Sequence, residues 1–139
     1  MADIGREELA IRELLESRRI VWNSRDTEAY RTLFTADVEI VSATGKTSHG
    51  IDAAMALYVE QKQQPSYRNA VITATLVDHV ALPTDTEAKV SATYIMTGVC
   101  IPPDTPPRDV EGKIAFSLAK EANGWKIAGL RAEPPGNAS

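Results

Sequence analysis

The stretch that decides the fold is Arg18–Gly50, with the sequence RRIVWNSRDTEAYRTLFTADVEIVSATGKTSHG. It begins in the last turns of a helix, whose period is interrupted at residues 23–26. Asp26 has the residue type and position of an N-cap, so a short second helix is expected directly after it. Residues 37–44 then alternate between apolar and polar side chains, as a strand does. The stretch ends at Gly50, which leads into a third helix.

The first helix, over residues 7–23, carries one polar residue on a stripe that is otherwise apolar. Arg18 follows Leu14 at a spacing of four and precedes Trp22 by four, so the three side chains share one face. An arginine on an inward face is either part of an ion pair, for example with Glu39, or the floor of a binding site. Arg19 lies about a hundred degrees around the helix, where we expect it to reach water. The apolar members of the stripe are Ile11, Leu14, Leu15, Val21 and Trp22.

The second half of the chain changes from helical to strand periodicity. The third helix covers residues 51–63 and ends before Pro65. Long strands are then expected over residues 67–82, 87–101, 108–122 and 125–133, with a hairpin at Asn123-Gly124. Three helices, a short strand and four long antiparallel strands indicate the α+β class, and such strands can curl around a helix into a cone with a mouth at one end. We expect one domain over residues 1–133 and a disordered tail over residues 134–139.

Composition narrows the possible partners and compartment. The chain has 139 residues and a formal net charge of −4, which argues against nucleic acid because phosphate binding needs a basic surface. A single cysteine, Cys100, excludes an intramolecular disulfide and a multi-cysteine zinc site. The charged N-terminus does not have the pattern of a signal peptide, and no apolar run reaches the length of a membrane helix. These features predict a cytoplasmic protein that does not bind membranes.

Three motifs, together with the order of the elements, resemble the SnoaL-like and NTF2-like superfamily. The motifs are WNSRDTEAYRTLFTADVEIV near the start, GIDAA at the third helix and NGWKIAGLRAE at the end. The resemblance covers about residues 8–133 and is closest to the branch labelled SnoaL-like or calcium/calmodulin-kinase-association-like. It implies a cone-shaped fold and a homodimer. The relatives include ketosteroid isomerases, polyketide cyclases, dehydratases and pure binding domains, and their reactions generally need no metal or cofactor.

The catalytic residues of these relatives do not carry over. In the isomerases, the oxyanion tyrosine of the first helix corresponds to Arg18, the base to Ser42 and the second oxyanion acid to Ile114. In the dehydratases, the tyrosine, aspartate and histidine correspond to Arg18, Asn23 and Asn69. Proton transfer at carbon needs a base tuned toward neutral pH, which serine and asparagine cannot supply. Arg18 remains able to stabilise an oxyanion or to hold a carboxylate or phosphate.

The sequence leaves two function classes open. One is a cofactor-independent enzyme or accessory protein that acts on a polyketide-like or carbonyl-bearing metabolite. The other is a binding or association module without chemistry. We predict Arg18 and His49 as the catalytic candidates, although His49 also fits a partly exposed residue before the third helix. Asp78 or Tyr30 could supply chemistry from positions that the family does not use. The predicted ligand-binding residues are Trp22, Asn23, Ser42, Asn69, Tyr94, Met96 and Phe116, and no metal ligands are predicted.

Overall fold

The structure, a computed structural model, describes the backbone of residues 4–137 and the side chains of residues 5–136. It contains three helices and seven strands within these residues. The helices are α1 (Ile4–Ser24), α2 (Thr27–Arg31) and α3 (Ile51–Gln63). The strands are β1 (Phe34–Val41), β2 (Thr47–His49), β3 (Val71–Thr84), β4 (Glu87–Val99), β5 (Arg108–Glu121), β6 (Gly124–Ala132) and β7 (Gly136–Asn137).

All the strands belong to one curved, mixed sheet. Its order is β2-β1-β6-β5-β4-β3, and β7 pairs with β5. Every pairing is antiparallel except that of β1 with β6, which is parallel. The helices cover the inner face of the sheet, and the hydrophobic core lies between the two layers. This is the α+β cone that the sequence predicts.

The first two helices are joined by the turn that the sequence indicates. Asp26 caps α2, because its carboxylate accepts a hydrogen bond from the Ala29 amide at 3.1 Å. Arg25 has a left-handed backbone with φ of 64°, which ends α1 and reverses the chain. Asn23 fixes the end of α1 to β3, since its amide donates to the Ile72 carbonyl at 2.9 Å and its oxygen accepts from the Ile72 amide at 2.8 Å. These bonds set the rotation of α1 and so direct Arg18 inward.

The inner faces of β4 and β5 follow the strand period. Their alternating residues are buried and pair across the two strands, as in Val90 with Phe116 and Ala92 with Ile114. Cys100 lies beyond the end of β4 and is half-buried. Because β4 ends at Val99, the alternation of a strand does not determine the direction of the Cys100 side chain.

Several bounds differ from expectation, and one of them is that of β1, which was expected over residues 37–44 and covers Phe34–Val41. The strand expected from residue 67 begins at Val71, because residues 67–69 form a turn. β2 was not predicted, since three residues are too few to show a period. Disorder was expected over residues 134–139, but Gly136–Asn137 pairs with β5 opposite Glu111 and Val110. Residues 138 and 139 lie outside the described part of the chain.

Candidate functional site: a cavity containing Arg18

A cavity lies between the helices and the inner face of the sheet. Its volume is about 50 Å³, which is large enough to hold a few water molecules. Half-buried lining residues mark the mouth, and they are Ala43, Leu57, Gln61 and Ala132. The buried wall consists of Arg18, Trp22, Tyr30, Ile40, Ser42, Ala54, Tyr58, Tyr67, Ile72, Tyr94, Met96, Ile114 and Leu130.

Arg18 is the charged side chain of this wall. It is 6% exposed, and its Nε and Nη1 atoms are buried without a hydrogen-bond partner. Its guanidinium carbon lies 5.8 Å from the centroid of the Phe116 ring, within the range of a cation–π contact. The alternative of an ion pair with Glu39 is not observed, because the Glu39 carboxylate contacts His49 instead. Among the described residues no carboxylate neutralises Arg18.

Two of the tyrosines around Arg18 have their hydroxyl protons engaged with backbone. Tyr58 donates to the Trp22 carbonyl at 2.8 Å, and Tyr94 donates to the Glu133 carbonyl at 2.6 Å. Burial raises the pKa of Tyr58 to about 12 and raises the pKa of Tyr94 further. Burial also raises the pKa of Tyr67. All three therefore stay neutral at physiological pH, and none of them can serve as a base there.

The aromatic rings of the wall form a connected cluster. Tyr30 and Tyr58 stack with ring centroids 4.3 Å apart, and Trp22 meets Tyr58 edge-on at 6.3 Å. Tyr30 also meets Phe34 edge-on at 4.8 Å. Such contacts restrict the rings to one arrangement. The cavity therefore has a rigid, largely apolar wall with a single cation in it.

The lining that the described residues form contains no group that could act as a general base at physiological pH. It contains no carboxylate, no imidazole and no thiol. Its polar side chains other than Arg18 and the tyrosines are Ser42 and Gln61. The Ser42 hydroxyl lies 2.8 Å from the Thr44 hydroxyl and so already has a hydrogen-bond partner. The arrangement can bind and polarise an oxygen atom, but it offers no obvious group to remove a proton from carbon.

Five of the predicted site residues come together in the cavity: Arg18, Trp22, Ser42, Tyr94 and Met96. Phe116 is buried next to Arg18 but is not part of the lining. Asn23 is not part of the lining either, because both its donor and its acceptor bind the backbone of Ile72. Asn69 is exposed, since it precedes β3 in a turn and is not inside the strand.

The structure places His49 away from the cavity. Its side chain is 72% exposed, and its Nδ1 atom lies 3.1 Å from a carboxylate oxygen of Glu39 across the β1–β2 pair. The alternative of an exposed residue before the third helix therefore describes His49 better than a catalytic role. Asp78 is exposed as well, with its carboxylate 3.4 Å from the Lys113 amine. Tyr30, the other unconventional candidate, does line the cavity.

Lys62 is a second buried cation, and the sequence analysis did not single it out. It is 5% exposed, its Nζ lies 3.6 Å from the centroid of the Trp22 ring, and it donates to the Ala70 carbonyl at 3.3 Å. Burial, reinforced by the charge of Arg25, lowers the pKa of Lys62 to about 8. A signal did exist, because Lys62 follows Tyr58 by four residues on the apolar stripe of α3.

Two negative findings apply to the described residues. No three or more histidine, cysteine, aspartate or glutamate side chains come together in a way that could hold a metal ion. No helix among them has both the length and the apolar character to cross a membrane.

Comparisons with known proteins agree with the geometry. A proposed scytalone dehydratase from Novosphingobium aromaticivorans superposes with a TM-score of 0.76 at 18% identity, over 96% of this chain and 95% of that one. A ketosteroid isomerase-like protein from Erwinia carotovora atroseptica gives a TM-score of 0.73 at 16% identity, over 90% and 93%. A protein with a cystatin-like fold from Caulobacter vibrioides gives 0.75 at 14% identity, over 95% and 91%.

These identities show a shared fold and nothing finer. A comparison with curated protein sequences gives no match. The sequence profile of the SnoaL-like domain matches residues 6–131, which is most of the chain. The chain therefore belongs to the SnoaL-like domain family.

Proposed function

We propose that this protein binds a small organic metabolite in the cavity and that Arg18 contacts an oxygen atom of that metabolite. The observation that carries the proposal is the burial of Arg18 without a partner at two of its nitrogens. An uncompensated buried charge costs several kcal/mol, so a fold gains nothing from it unless a ligand provides the missing acceptor. The apolar remainder of the wall suits the carbon skeleton of such a ligand.

Binding without acid–base catalysis is the role that the lining supports best. A general base must lie within hydrogen-bond reach of the proton that it removes. His49 and Asp78 are outside the cavity, and the buried tyrosines are neutral at physiological pH. The protein would then carry, sequester or deliver its ligand, as an accessory protein does.

The direct test is to look for a retained metabolite. Native mass spectrometry of the freshly purified protein should show a small mass adduct that denaturation releases. Arg18→Met and Arg18→Ala should lose the adduct and remain folded. Arg12→Met is the matched control, because Arg12 is on the same helix but has a side chain that is 50% exposed. If the Arg18 variants unfold while their residual folded fraction still carries the adduct, Arg18 is structural and the proposal fails.

A second candidate is a cofactor-independent enzyme that acts on a polyketide-like or carbonyl-bearing metabolite. The observation that favours it is the position of Arg18 in an apolar wall, where a cation stabilises a developing oxyanion more strongly than it would in water. Dehydration in the manner of scytalone dehydratases is not part of this candidate, because Asn23 and Asn69 do not line the cavity. Consumption of the retained metabolite by the wild-type protein, but not by Arg18→Met, would establish it.

We also propose a homodimer that forms through the outer face of the sheet. This face carries Leu76 and Val71 of β3, which are 52% and 41% exposed. Large exposed apolar side chains on one face of a sheet are typical of association surfaces. Light scattering should give twice the mass of one chain, and Leu76→Glu should shift the protein to the monomer. A wild-type protein that is monomeric at about 100 µM would contradict the dimer, because the dissociation constant would then lie well above about 100 µM.

A further inference from the structure

We infer that the ligand of this cavity is a small monocarboxylate whose carbon skeleton is a flat, single-ring apolar group. The inference rests on the proposed binding function and names the class of molecule that the site selects. Three properties of the cavity support this inference independently: its charge, its unpaired hydrogen-bond donors and its size.

The charge of the cavity selects a single negative charge. Arg18 is the one charged residue in the lining that the described residues form. One carboxylate neutralises it, and the ion pair is strong because the surrounding wall is apolar. A phosphate monoester would bring close to two negative charges, and the next cation, Lys62, is not part of the lining. A dianion would therefore be left with charge that no residue of the cavity balances.

The hydrogen-bond donors point to an acceptor-only group. The Nε and Nη1 atoms of Arg18 have no acceptor, whereas the hydroxyls of Tyr58 and Tyr94 already donate to backbone carbonyls. Among the described lining residues, these two guanidinium nitrogens are the fully buried donors without a partner. A carboxylate offers two oxygens with four lone-pair sites to them. A neutral carbonyl would accept fewer hydrogen bonds and would leave the charge unbalanced.

The size and shape of the cavity select the remainder of the ligand. The aromatic residues Trp22, Tyr30, Tyr58 and Tyr67 contribute to the wall, and aromatic rings pack well against other flat apolar groups. A cavity of about 50 Å³ accommodates a single ring with a short acidic substituent, whereas a larger skeleton would have to extend through the mouth.

The test compares pairs of probes with the same shape and different charge. Benzoate and benzamide form one pair, and cyclohexanecarboxylate and its amide form the other. Affinities are measured at pH 7 by ligand-observed NMR or calorimetry on the wild-type protein, Arg18→Met and Arg12→Met. We expect each acid to bind wild type at least about tenfold more tightly than its amide, since about 1.4 kcal/mol separates affinities by that factor. The preference should disappear in Arg18→Met and persist in Arg12→Met, with thermal melts showing that both variants are folded.

Each other outcome overturns a different statement. If acid and amide bind equally well, the cavity binds small molecules but the carboxylate inference is wrong. If the preference survives in Arg18→Met, another cation recognises the acid and the assignment to Arg18 is wrong. If phenyl phosphate binds more tightly than benzoate, the selection of a monoanion is wrong. If neither pair binds wild type and no adduct is retained, both the inference and the proposed function are wrong.

Discussion

Arg18 and Lys62 are two cations buried to the same extent, 6% and 5% exposed, and the fold treats them differently. The Lys62 amine lies on the Trp22 ring and donates to the Ala70 carbonyl. Two nitrogens of Arg18 have no acceptor. The Arg18 side chain lines the cavity, and so does Trp22. The Lys62 amine thus has a hydrogen-bond acceptor within the protein, whereas Arg18 has two nitrogens that a ligand in the cavity could bind.

The chemistry of the two side chains sharpens this difference. A buried lysine can lose its proton, and burial lowers the pKa of Lys62 to about 8. An arginine side chain keeps its charge in proteins, so it cannot escape the cost of burial in this way. A buried arginine with two nitrogens that lack an acceptor is therefore a stronger indication of a ligand site than a buried lysine that donates to a carbonyl.

The largest expected effect concerns Lys62 and pH. Its pKa is lowered from the ordinary 10.5 to about 8 in the folded protein, so the unfolded chain binds more protons between these values. Stability must then rise with pH, by about 2 kcal/mol between pH 8 and 9.5. Urea unfolding of wild type and Lys62→Met at pH 7.5, 8.5 and 9.5 measures this rise. If the free energy of unfolding rises equally with pH in the two proteins, Lys62 is not desolvated in the folded state. The contrast between Lys62 and Arg18 as two buried cations would then be wrong.

The next effect concerns the stability of Arg18→Met without ligand. Methionine fills a similar volume and removes an unsatisfied buried charge, so the free energy of unfolding should rise by about 1–2 kcal/mol. Thermal and urea unfolding measure it, and Arg12→Met should change stability by less than about 0.5 kcal/mol. A loss of more than about 1 kcal/mol in Arg18→Met would mean that the protein itself satisfies Arg18, which would erase the contrast with Lys62.

A smaller effect is expected at Gly112, which touches neither cation. Gly112 faces Tyr94 across β4 and β5, and a Cβ atom there would lie 2.4 Å from the Tyr94 hydroxyl oxygen. Gly112→Ala should push the Tyr94 ring toward Arg18 and weaken benzoate binding by about 1 kcal/mol. Gly129→Ala is the control, because its Cβ would meet Ser117 at 3.3 Å and not a cavity residue. Equal binding by wild type and Gly112→Ala would show that Tyr94 does not shape the space beside Arg18.

The smallest effect concerns His49, a third basic side chain. His49 is exposed and has Glu39 beside it, so His49→Ala should change both stability and benzoate affinity by less than about 0.5 kcal/mol. The measurements are the same titrations at pH 6 and 7.5. A loss of binding of more than about tenfold, which is 1.4 kcal/mol, would place His49 in the ligand site and would contradict the contrast between the buried and the exposed basic side chains.

Part of the site was predictable because periodicity is a local property. The apolar stripe of α1 is enough to turn Arg18 inward, and the alternation in β4 is enough to turn Tyr94 and Met96 inward. Asp26 was recognisable as a cap because capping depends on residues three apart. Lys62 could have been found in the same way from its position on the stripe of α3.

The remaining features could not be predicted from the sequence. The period of a helix or strand indicates which face a side chain lies on, but it does not show where the element begins and ends or what packs against it. His49 and Asn69 are polar residues close to predicted elements, and only the packing shows that one lies on an exposed two-strand edge and the other in a turn before β3. The close fit of Tyr94 over Gly112 depends on the register of β4 with β5. Register is decided by the whole sheet and not by either strand.

The sequence by itself determined the elements, the α+β class and the inward direction of Arg18, since each follows from residues a few positions apart. The tertiary structure alone decided that two nitrogens of Arg18 have no acceptor while the Lys62 amine donates to the Ala70 carbonyl. Whether a buried charge is neutralised depends on groups from distant segments, and those segments meet only when α1, α3 and the sheet have packed together. The parallel pairing of β1 with β6 belongs to the same class of features, because it joins strands from the two halves of the chain.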